Sequence, residues 1–177
     1  MLCSRMLLAA LLGAGTLAPS LASAASPQSE ILGSFKSWSA YTTGSGDAKV
    51  CYALSRPVSS EPKKIKRDPT YFLINDWPGR KAKAEPEIVP GYQYKEGMGV
   101  TAEVGADKFS FFTKNEGGAG GAWVEAEADE ARLIDAMKSA TEMTVTGISK
   151  RGTSTHDTYS LAGLSDALDK VHQTCGM

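Results

Sequence analysis

The sequence predicts a mainly β fold, either an antiparallel β-sandwich or a barrel-like sheet, with two short α-helices in the C-terminal half. About eight short segments carry strand patterns, and they follow one another in runs instead of alternating with helices. Glycine and proline turns separate these segments. Only two late segments repeat apolar residues at helical spacing. The choice between sandwich and barrel stays open at this level.

The first two strands are expected to form a hairpin. Residues 35–43 supply the first strand, and residues 44–47 supply a turn that contains two glycines. Residues 49–55 alternate, with Val50, Tyr52 and Leu54 on one face and Cys51 and Ala53 on the other.

The middle of the chain is predicted to hold a proline-punctuated loop and then several short strands. Three prolines interrupt residues 56–69, which favours a loop there. Residues 71–74 are apolar throughout, as in a strand buried on both faces. Further strands are expected at residues 87–89, 92–94, 99–104 and 108–113. The glycine-rich residues 117–121 are expected to form the flexible tip of a hairpin, because no lysine and Ser/Thr follow to make a phosphate-binding loop.

Two helices are predicted near the end of the chain. The first runs from Asp129, the expected N-cap, to Ala140. The second follows Gly163, where four apolar residues share one helical face: Leu164, Ala167, Leu168 and Val171. Strands are expected between the helices at residues 143–148 and 155–161.

The N-terminus has the pattern of a secretory signal peptide. Arg5 precedes a short apolar run, and Ala22-Ser23-Ala24 forms an A-x-A cleavage site. The expected division is a signal peptide at 1–24, a mature tail at 25–34 and one β-rich domain at 35–177; cleavage after Ala25 is the second choice. The apolar run is short for a retained membrane anchor, the alternative. The leader predicts export to the periplasm of a Gram-negative envelope, with outer-membrane association or the cell surface as alternatives.

Charge and cysteine content limit the classes of function. Without Arg5 the chain keeps 18 basic and 20 acidic residues, and this balance argues against nucleic-acid binding. Cys3 leaves with the signal, so Cys51 and Cys175 have a single possible pairing in an oxidising compartment. A structural disulfide is favoured over a redox pair, and closing so long a loop contributes at most about 4–5 kcal/mol.

The C-terminal third resembles the invasion-associated locus B family. The resemblance rests on residues 131–138, 143–147, 151–153 and 157–164, and more weakly on Trp38, Cys51, residues 72–74 and residues 91–92. It implies a periplasmic or outer-membrane-associated bacterial protein with a β-rich fold, and some members are linked to entry into host cells. The family offers no catalytic residues to carry over. Many members have a cysteine soon after the first tryptophan, where this chain has Tyr41 and Thr42, so no second bridge is expected.

Catalytic and metal chemistry find little support in the sequence. Two distant histidines, His156 and His172, are too few for a zinc site, and His172 is expected on the surface. Ser154 and His156 would share one strand face while Asp157 points to the other, so no triad is expected. No cofactor or metal is predicted. Carboxylates for a glycan-directed hydrolase remain an alternative: Glu85, Glu87, Glu103, Glu125 and Glu127.

The basic segment, residues 56–83, is the main functional lead. It carries eight cations and three carboxylates, and its cations are candidate contacts for an anionic partner: Arg56, Lys63, Lys64, Lys66, Arg67, Arg80, Lys81 and Lys83. Trp77, Tyr92 and Tyr94 are candidate stacking surfaces for a sugar. The leading hypothesis is therefore a non-enzymatic binding module whose partner is a protein, a glycan or an anionic envelope or host surface. The alternatives are a small hydrolase and a purely structural partner of another envelope protein.

Overall fold

The computed structural model describes residues 28–124 and 126–177. The expected signal peptide therefore lies outside the described residues. Within them the chain forms eleven strands in one sheet and two α-helices. No helix in this described part is long and apolar enough to cross a membrane.

All neighbouring strands of the sheet are antiparallel, and the spatial order is β1-β2-β3-β5-β6-β9-β8-β7-β10-β11-β4. The sheet is not closed, because β1 and β4 form its two ends. The bounds are β1 Glu30–Phe35, β2 Trp38–Thr43, β3 Val50–Ser55, β4 Ser59–Glu61, β5 Tyr71–Trp77, β6 Ala82–Val89, β7 Val100–Val104, β8 Asp107–Glu116, β9 Ala119–Val124, β10 Glu142–Ile148, β11 Ser154–Ser160, α1 Glu127–Ser139 and α2 Leu164–Cys175.

Aromatic contacts join distant strands around one core. The Phe72 ring on β5 lies edge-on to Phe111 on β8 and Tyr159 on β11, with centroids 6.4 and 5.8 Å away. Trp38 on β2 donates from Nε1 to the carbonyl of Ser160, 3.0 Å away. The two halves of the sheet therefore curl towards each other and enclose a common interior. The mainly β prediction is confirmed, and closure into a barrel is not observed.

Helix α2 confirms the periodicity prediction and carries the disulfide. Its four predicted core residues are all buried against the sheet. Gly163 precedes the helix with φ +89, and a Cβ there would collide with the carbonyl of Phe35, so the tight entry requires glycine. Cys175 ends the helix and is bonded to Cys51 on β3, with Cα atoms 6.0 Å apart. The predicted bridge is thereby confirmed, and it ties the last helix to an early strand.

Several local predictions need correction because strand pairing was not visible in local patterns. β1 begins at Glu30, inside the expected tail, since it pairs with β2. β4 lies inside the expected loop of residues 56–69, where it pairs with β11. Residues 92–94 form only an isolated bridge, between Tyr94 and Ser149. The hairpin tip is limited to residues 117–118, because β9 already starts at Ala119.

The start of α1 also differs from the prediction. The helix begins at Glu127, and Ala126 occupies the N-cap position without a side-chain hydrogen bond. Asp129 lies inside the first turn, where its carboxylate is 2.6 Å from Nη1 of Arg132. An acidic side chain in the first turn interacts favourably with the positive end of the helix dipole. The residue type therefore indicated the first turn of the helix but did not identify the N-cap residue.

Candidate functional site

The structure places five of the eight cations of the basic segment in two grooves and leaves three on the surface outside them. Arg56 stacks over the Tyr71 ring at 4.9 Å, and Lys63 lies 3.8 Å from a Glu61 carboxylate oxygen. Lys64 is exposed. Lys66 and Arg67 line one groove, whereas the other groove holds the remaining three cations: Arg80, Lys81 and Lys83. The segment therefore does not form a single patch.

The first groove, which we call the basic groove, has a volume of about 730 Å³. Four segments distant in sequence form it, and its lining residues are Ile65, Lys66, Arg67, Asp68, Gly91, Tyr92, Gln93, Gly118, Ser149, Lys150, Arg151 and Thr153. This lining contains four basic side chains and one carboxylate. Lys150 and Arg151 come from the turn between β10 and β11, which sequence reasoning treated only as a connection. Two adjacent basic residues in a turn between strands were the signal that the sequence offered for this part of the groove.

Arg67 differs from the other cations of the basic groove because its charge is used inside the protein. Its guanidinium binds both carboxylate oxygens of Asp157, with Nη1 2.9 Å from Oδ2, and Nη2 also donates to the Ser60 hydroxyl. The hydrogen bond to Asp157 raises the pKa of Arg67 further above its ordinary value, against the opposing effect of burial. With side chains only 10% and 4% exposed, this is a buried ion pair, and the expectation of a ligand-binding Arg67 is corrected accordingly.

The predicted aromatic contacts also separate. Tyr92 lines the basic groove, and its hydroxyl lies 2.6 Å from Oγ1 of Thr155. Tyr94 is only 1% exposed and packs edge-on against Tyr92, so its ring belongs to the core and offers no stacking surface. Burial raises the pKa of both tyrosines. Trp77 lies in the other groove.

This second groove, which we call the aromatic groove, has a volume of about 1110 Å³. It lies over the outer face of β6, β9 and β8 and beside the β5–β6 connection. Its lining residues are Asp47, Ala48, Trp77, Arg80, Lys81, Ala82, Lys83, Glu85, Glu87, Phe112, Lys114, Glu116, Trp123, Val124 and Glu130. Phe112 and Trp123, which sequence reasoning did not single out as site residues, are directly paired across β8 and β9. Along each strand these aromatic residues alternate with buried residues, and this alternation was the signal available in the sequence.

Charged groups in the aromatic groove are held in defined contacts. Arg80 stacks over the Trp77 ring at 4.3 Å, and its Nη2 lies 2.8 Å from a Glu85 carboxylate oxygen. Asn75 donates from Nδ2 to Oε2 of Glu87 at 3.1 Å. Burial raises the pKa of Glu87, and the Asn75 hydrogen bond partly opposes this shift.

A β-bulge shapes the edge of the aromatic groove. The β5–β6 register shifts between Asn75 and Trp77, and the fully buried carboxylate of Asp76 accepts a hydrogen bond from the Ala84 backbone N–H at 2.9 Å. Ala84 has φ +55 and Lys81 has φ +56, a backbone region that non-glycine residues seldom adopt. Such conformations persist where surrounding contacts enforce them, and here the buried carboxylate supplies one of those contacts.

The two histidines have different surroundings. His156 is exposed, with Nδ1 3.1 Å from the Thr146 hydroxyl and Nε2 3.4 Å from the Ser154 hydroxyl. Asp157 is buried on the opposite face with Arg67, so these residues do not form a triad. His172 is not the surface residue that was expected: its Nδ1 lies 2.7 Å from Oδ2 of Asp76. Among residues 28–124 and 126–177, no group of three or more potential ligands is placed to hold a metal ion.

The catalytic carboxylates considered from sequence are not gathered in one place. Glu85 and Glu87 share the aromatic groove, whereas Glu103 lies on β7 and pairs with Lys108 at 2.7 Å. Glu125 lies outside the described residues, and the structure describes no side chain for Glu127. Glu85 and Glu87 are therefore the pair on which a hydrolase hypothesis depends.

These features define a class of protein, a mainly antiparallel β-sheet domain in which the Cys51–Cys175 disulfide ties the last helix to an early strand and charged residues line surface grooves. The chain belongs to the Invasion associated locus B (IalB) protein family, whose model matches residues 38–172. The crystal structure of invasion associated protein B from Bartonella henselae has a similar fold, with a TM-score of 0.56 over 82% of this chain and 98% of that chain. The two sequences are 11% identical, so this likeness concerns the fold alone. No curated protein matches the sequence.

Proposed function

We propose that this protein is an exported, non-enzymatic binding module of the cell envelope, which holds anionic groups of an envelope or host-surface partner in its basic groove. The observation that carries the proposal is the convergence of Lys66, Lys150 and Arg151 on one groove. All three side chains are exposed. Within the described part of the chain, none of them lies in an ion pair.

The basic groove combines unbalanced charge with a concave shape. Three cations without carboxylate partners repel one another, and an anionic ligand would relieve this repulsion. The loop that carries Lys66 is tied to β11 by the buried ion pair between Arg67 and Asp157. Tyr92 and Gln93 add polar groups beside the charges. The site therefore suits phosphate or carboxylate groups presented on a larger partner.

The comparisons support the biological setting of this proposal. The family and the Bartonella henselae protein are both named for an association with invasion. A surface site for anionic groups would serve contact with a host membrane, and equally contact with phosphorylated lipids of the bacterial envelope. Export by the predicted signal peptide belongs to the same proposal.

Vesicle sedimentation tests this function. The mature protein is mixed with phosphatidylglycerol vesicles or phosphatidylcholine vesicles at low and high salt. We expect binding to the anionic vesicles alone, with loss at high salt because surface charges are screened. The double variant Lys150→Glu/Arg151→Glu should abolish it. The matched control Lys63→Glu/Lys64→Glu makes the same charge change outside both grooves. Equal loss in both variants, or no binding to anionic vesicles, would reject the basic groove as the site.

A second candidate function is a glycan-directed hydrolase, which the aromatic groove favours by one observation. Glu85 and Glu87 lie two residues apart on β6 and both line the groove, and burial raises the pKa of Glu87, as a general acid requires. Arg80, however, engages Glu85. Incubation with neutral oligosaccharides, followed by mass spectrometry for shorter products, distinguishes the two functions. Products lost in Glu87→Gln would support the hydrolase.

A further inference from the structure

We infer that the aromatic groove is a second binding site, which takes a neutral oligosaccharide chain with its sugar rings lying on Trp123 and Phe112. This site is separate from the basic groove and differs from it in chemistry. Four features support it: the aromatic surface, the charge balance, the row of polar groups and the fixed rim.

The aromatic surface is exposed in a way that folding alone does not require. Phe112 is 41% exposed, although its neighbours Phe109 and Phe111 on β8 are buried in the core. Its ring lies 6.0 Å from that of Trp123, at an interplanar angle of 35°. A Cβ on Gly121 would collide with the Trp123 indole, so the indole lies against the backbone of β9. The Trp123 side chain is half-buried and lines the groove together with Phe112.

Aromatic faces of this kind suit the ring C–H groups of a sugar. The face of an aromatic ring carries negative charge density, which attracts the weakly positive C–H groups on one side of a pyranose. A cross-strand pair of aromatic residues also stabilises the sheet by itself. Substitution of each ring, with binding and stability both measured, separates that structural role from a binding role.

The charge balance favours a neutral ligand over an ion. The lining holds four basic residues, Arg80, Lys81, Lys83 and Lys114, and five acidic ones, Asp47, Glu85, Glu87, Glu116 and Glu130. Arg80 and Glu85 also neutralise each other. A groove with nearly equal numbers of both charges exerts little net attraction on an ion. It offers many hydrogen-bond donors and acceptors to hydroxyl groups.

Polar and aromatic groups follow one row across the sheet. Glu87 pairs with Trp123, and Trp123 pairs with Phe112, so the three residues occupy successive strands β6, β9 and β8. Two strand spacings make this row roughly 10 Å long, enough for neighbouring sugar rings. The half-buried Glu87 carboxyl, oriented by the Asn75 side chain, lines the groove and can hydrogen bond with a sugar hydroxyl beside the stacked ring.

The rim of the groove is fixed before any ligand arrives. The buried carboxylate of Asp76 holds the Ala84 backbone, and Arg80 is held between the Trp77 ring and Glu85. A preformed site loses little conformational entropy on binding, which matters for ligands with weak individual contacts.

Tryptophan fluorescence and calorimetry test this inference on the disulfide-bonded protein. The probes are neutral hexasaccharides of glucose and of N-acetylglucosamine, titrated at low and high salt. We expect saturable, salt-insensitive binding of at least one probe, accompanied by a change in tryptophan fluorescence. Phe112→Ala and Trp123→Ala should each weaken binding about tenfold or more, as expected for the loss of one stacking contact.

Two controls assign the result to the groove. Tyr52→Ala removes an aromatic residue of the Tyr41–Tyr52 stack on the same sheet, outside the groove, and should bind like the native protein. Lys150→Glu/Arg151→Glu, which alters the basic groove, should also leave oligosaccharide binding unchanged. Because Phe112 is exposed, its truncation should preserve the fold, which thermal unfolding checks. Absence of binding by every probe, or native-like binding by Phe112→Ala, would overturn the inference.

Discussion

The Nδ1 atom of His172 on α2 lies 2.7 Å from the Oδ2 atom of Asp76, a carboxylate with no exposed surface on β5. The same carboxylate accepts a hydrogen bond from the Ala84 backbone through its other oxygen. One buried side chain thus joins the last helix to the bulge at the rim of the aromatic groove. The disulfide between Cys51 and Cys175 lies beside it, because Cys51 pairs with Asp76 across β3 and β5.

The His172–Asp76 contact is expected to contribute strongly to stability. His172→Ala leaves a buried carboxylate with one hydrogen bond fewer, so the free energy of unfolding should fall by about 2–3 kcal/mol. Urea denaturation measures the difference. His156→Ala is the matched control, and because His156 is exposed its effect should stay within about 0.5 kcal/mol. Similar values for the two variants would contradict a special role of the buried contact.

Arg67 is expected to act on stability rather than on ligand binding. Arg67→Ala leaves Asp157 buried without its partner, and the free energy of unfolding should fall by about 3–5 kcal/mol. Lys66→Ala, at the neighbouring exposed position, should change it by less than about 0.5 kcal/mol while weakening binding to anionic vesicles. Denaturation and sedimentation on both variants test the distinction. If the Arg67→Ala protein were as stable as the native protein but bound anionic vesicles more weakly, Arg67 would be a ligand-binding residue and not a structural one.

Glu87 should make stability depend on pH. Because burial raises its pKa above the ordinary value of 4.5, the folded state binds the proton more tightly than the unfolded state. The free energy of unfolding should therefore fall as the pH rises from the ordinary pKa of a glutamate through the raised pKa of Glu87 in the folded protein. Above that raised pKa the loss of stability stays constant. Glu87→Gln should be more stable than the native protein at neutral pH and should lose this component of the pH dependence. Urea denaturation from about pH 4 to pH 8 measures it.

The control for Glu87 is Glu142→Gln, at an exposed position on β10. This variant should leave the pH profile close to the native one. A less stable Glu87→Gln protein at neutral pH would mean that the Asn75 hydrogen bond outweighs the cost of burying the charge.

Tyr159, which is buried, and Tyr92, which is half-buried, should respond in opposite ways to loss of the hydroxyl. The Tyr159 hydroxyl is buried and has no hydrogen-bond partner within the described residues, so Tyr159→Phe should raise the free energy of unfolding by up to about 1 kcal/mol. Tyr92→Phe removes a 2.6 Å hydrogen bond with Thr155 and should lower it by about 1 kcal/mol. Denaturation of both variants gives the two signs. A loss of stability in Tyr159→Phe would point to a partner for its hydroxyl.

The sequence by itself determined the features that depend on local periodicity or on counting. The apolar face of α2 follows from residues three and four apart, and Leu164, Ala167, Leu168 and Val171 are all buried as predicted. The alternation along residues 108–113 puts Phe109 and Phe111 on one face of the strand and Phe112 on the other, and the structure buries the first two and exposes the third. The pairing of Cys51 with Cys175 followed because two cysteines allow a single bridge. The mainly β class and the family resemblance were also accessible at this level.

Only the tertiary structure decided what the basic segment and the histidines contact. Lys66 lines one groove with Lys150 and Arg151, Arg67 is paired with Asp157, and His172 contacts Asp76, all across long stretches of chain. The open eleven-stranded order and the short β4 arise in the same way. Strand register and loop positions are set by pairing between distant segments and by packing of the common core. The residue types in a local segment limit which contacts that segment can make. Which of these contacts form depends on how the whole chain folds.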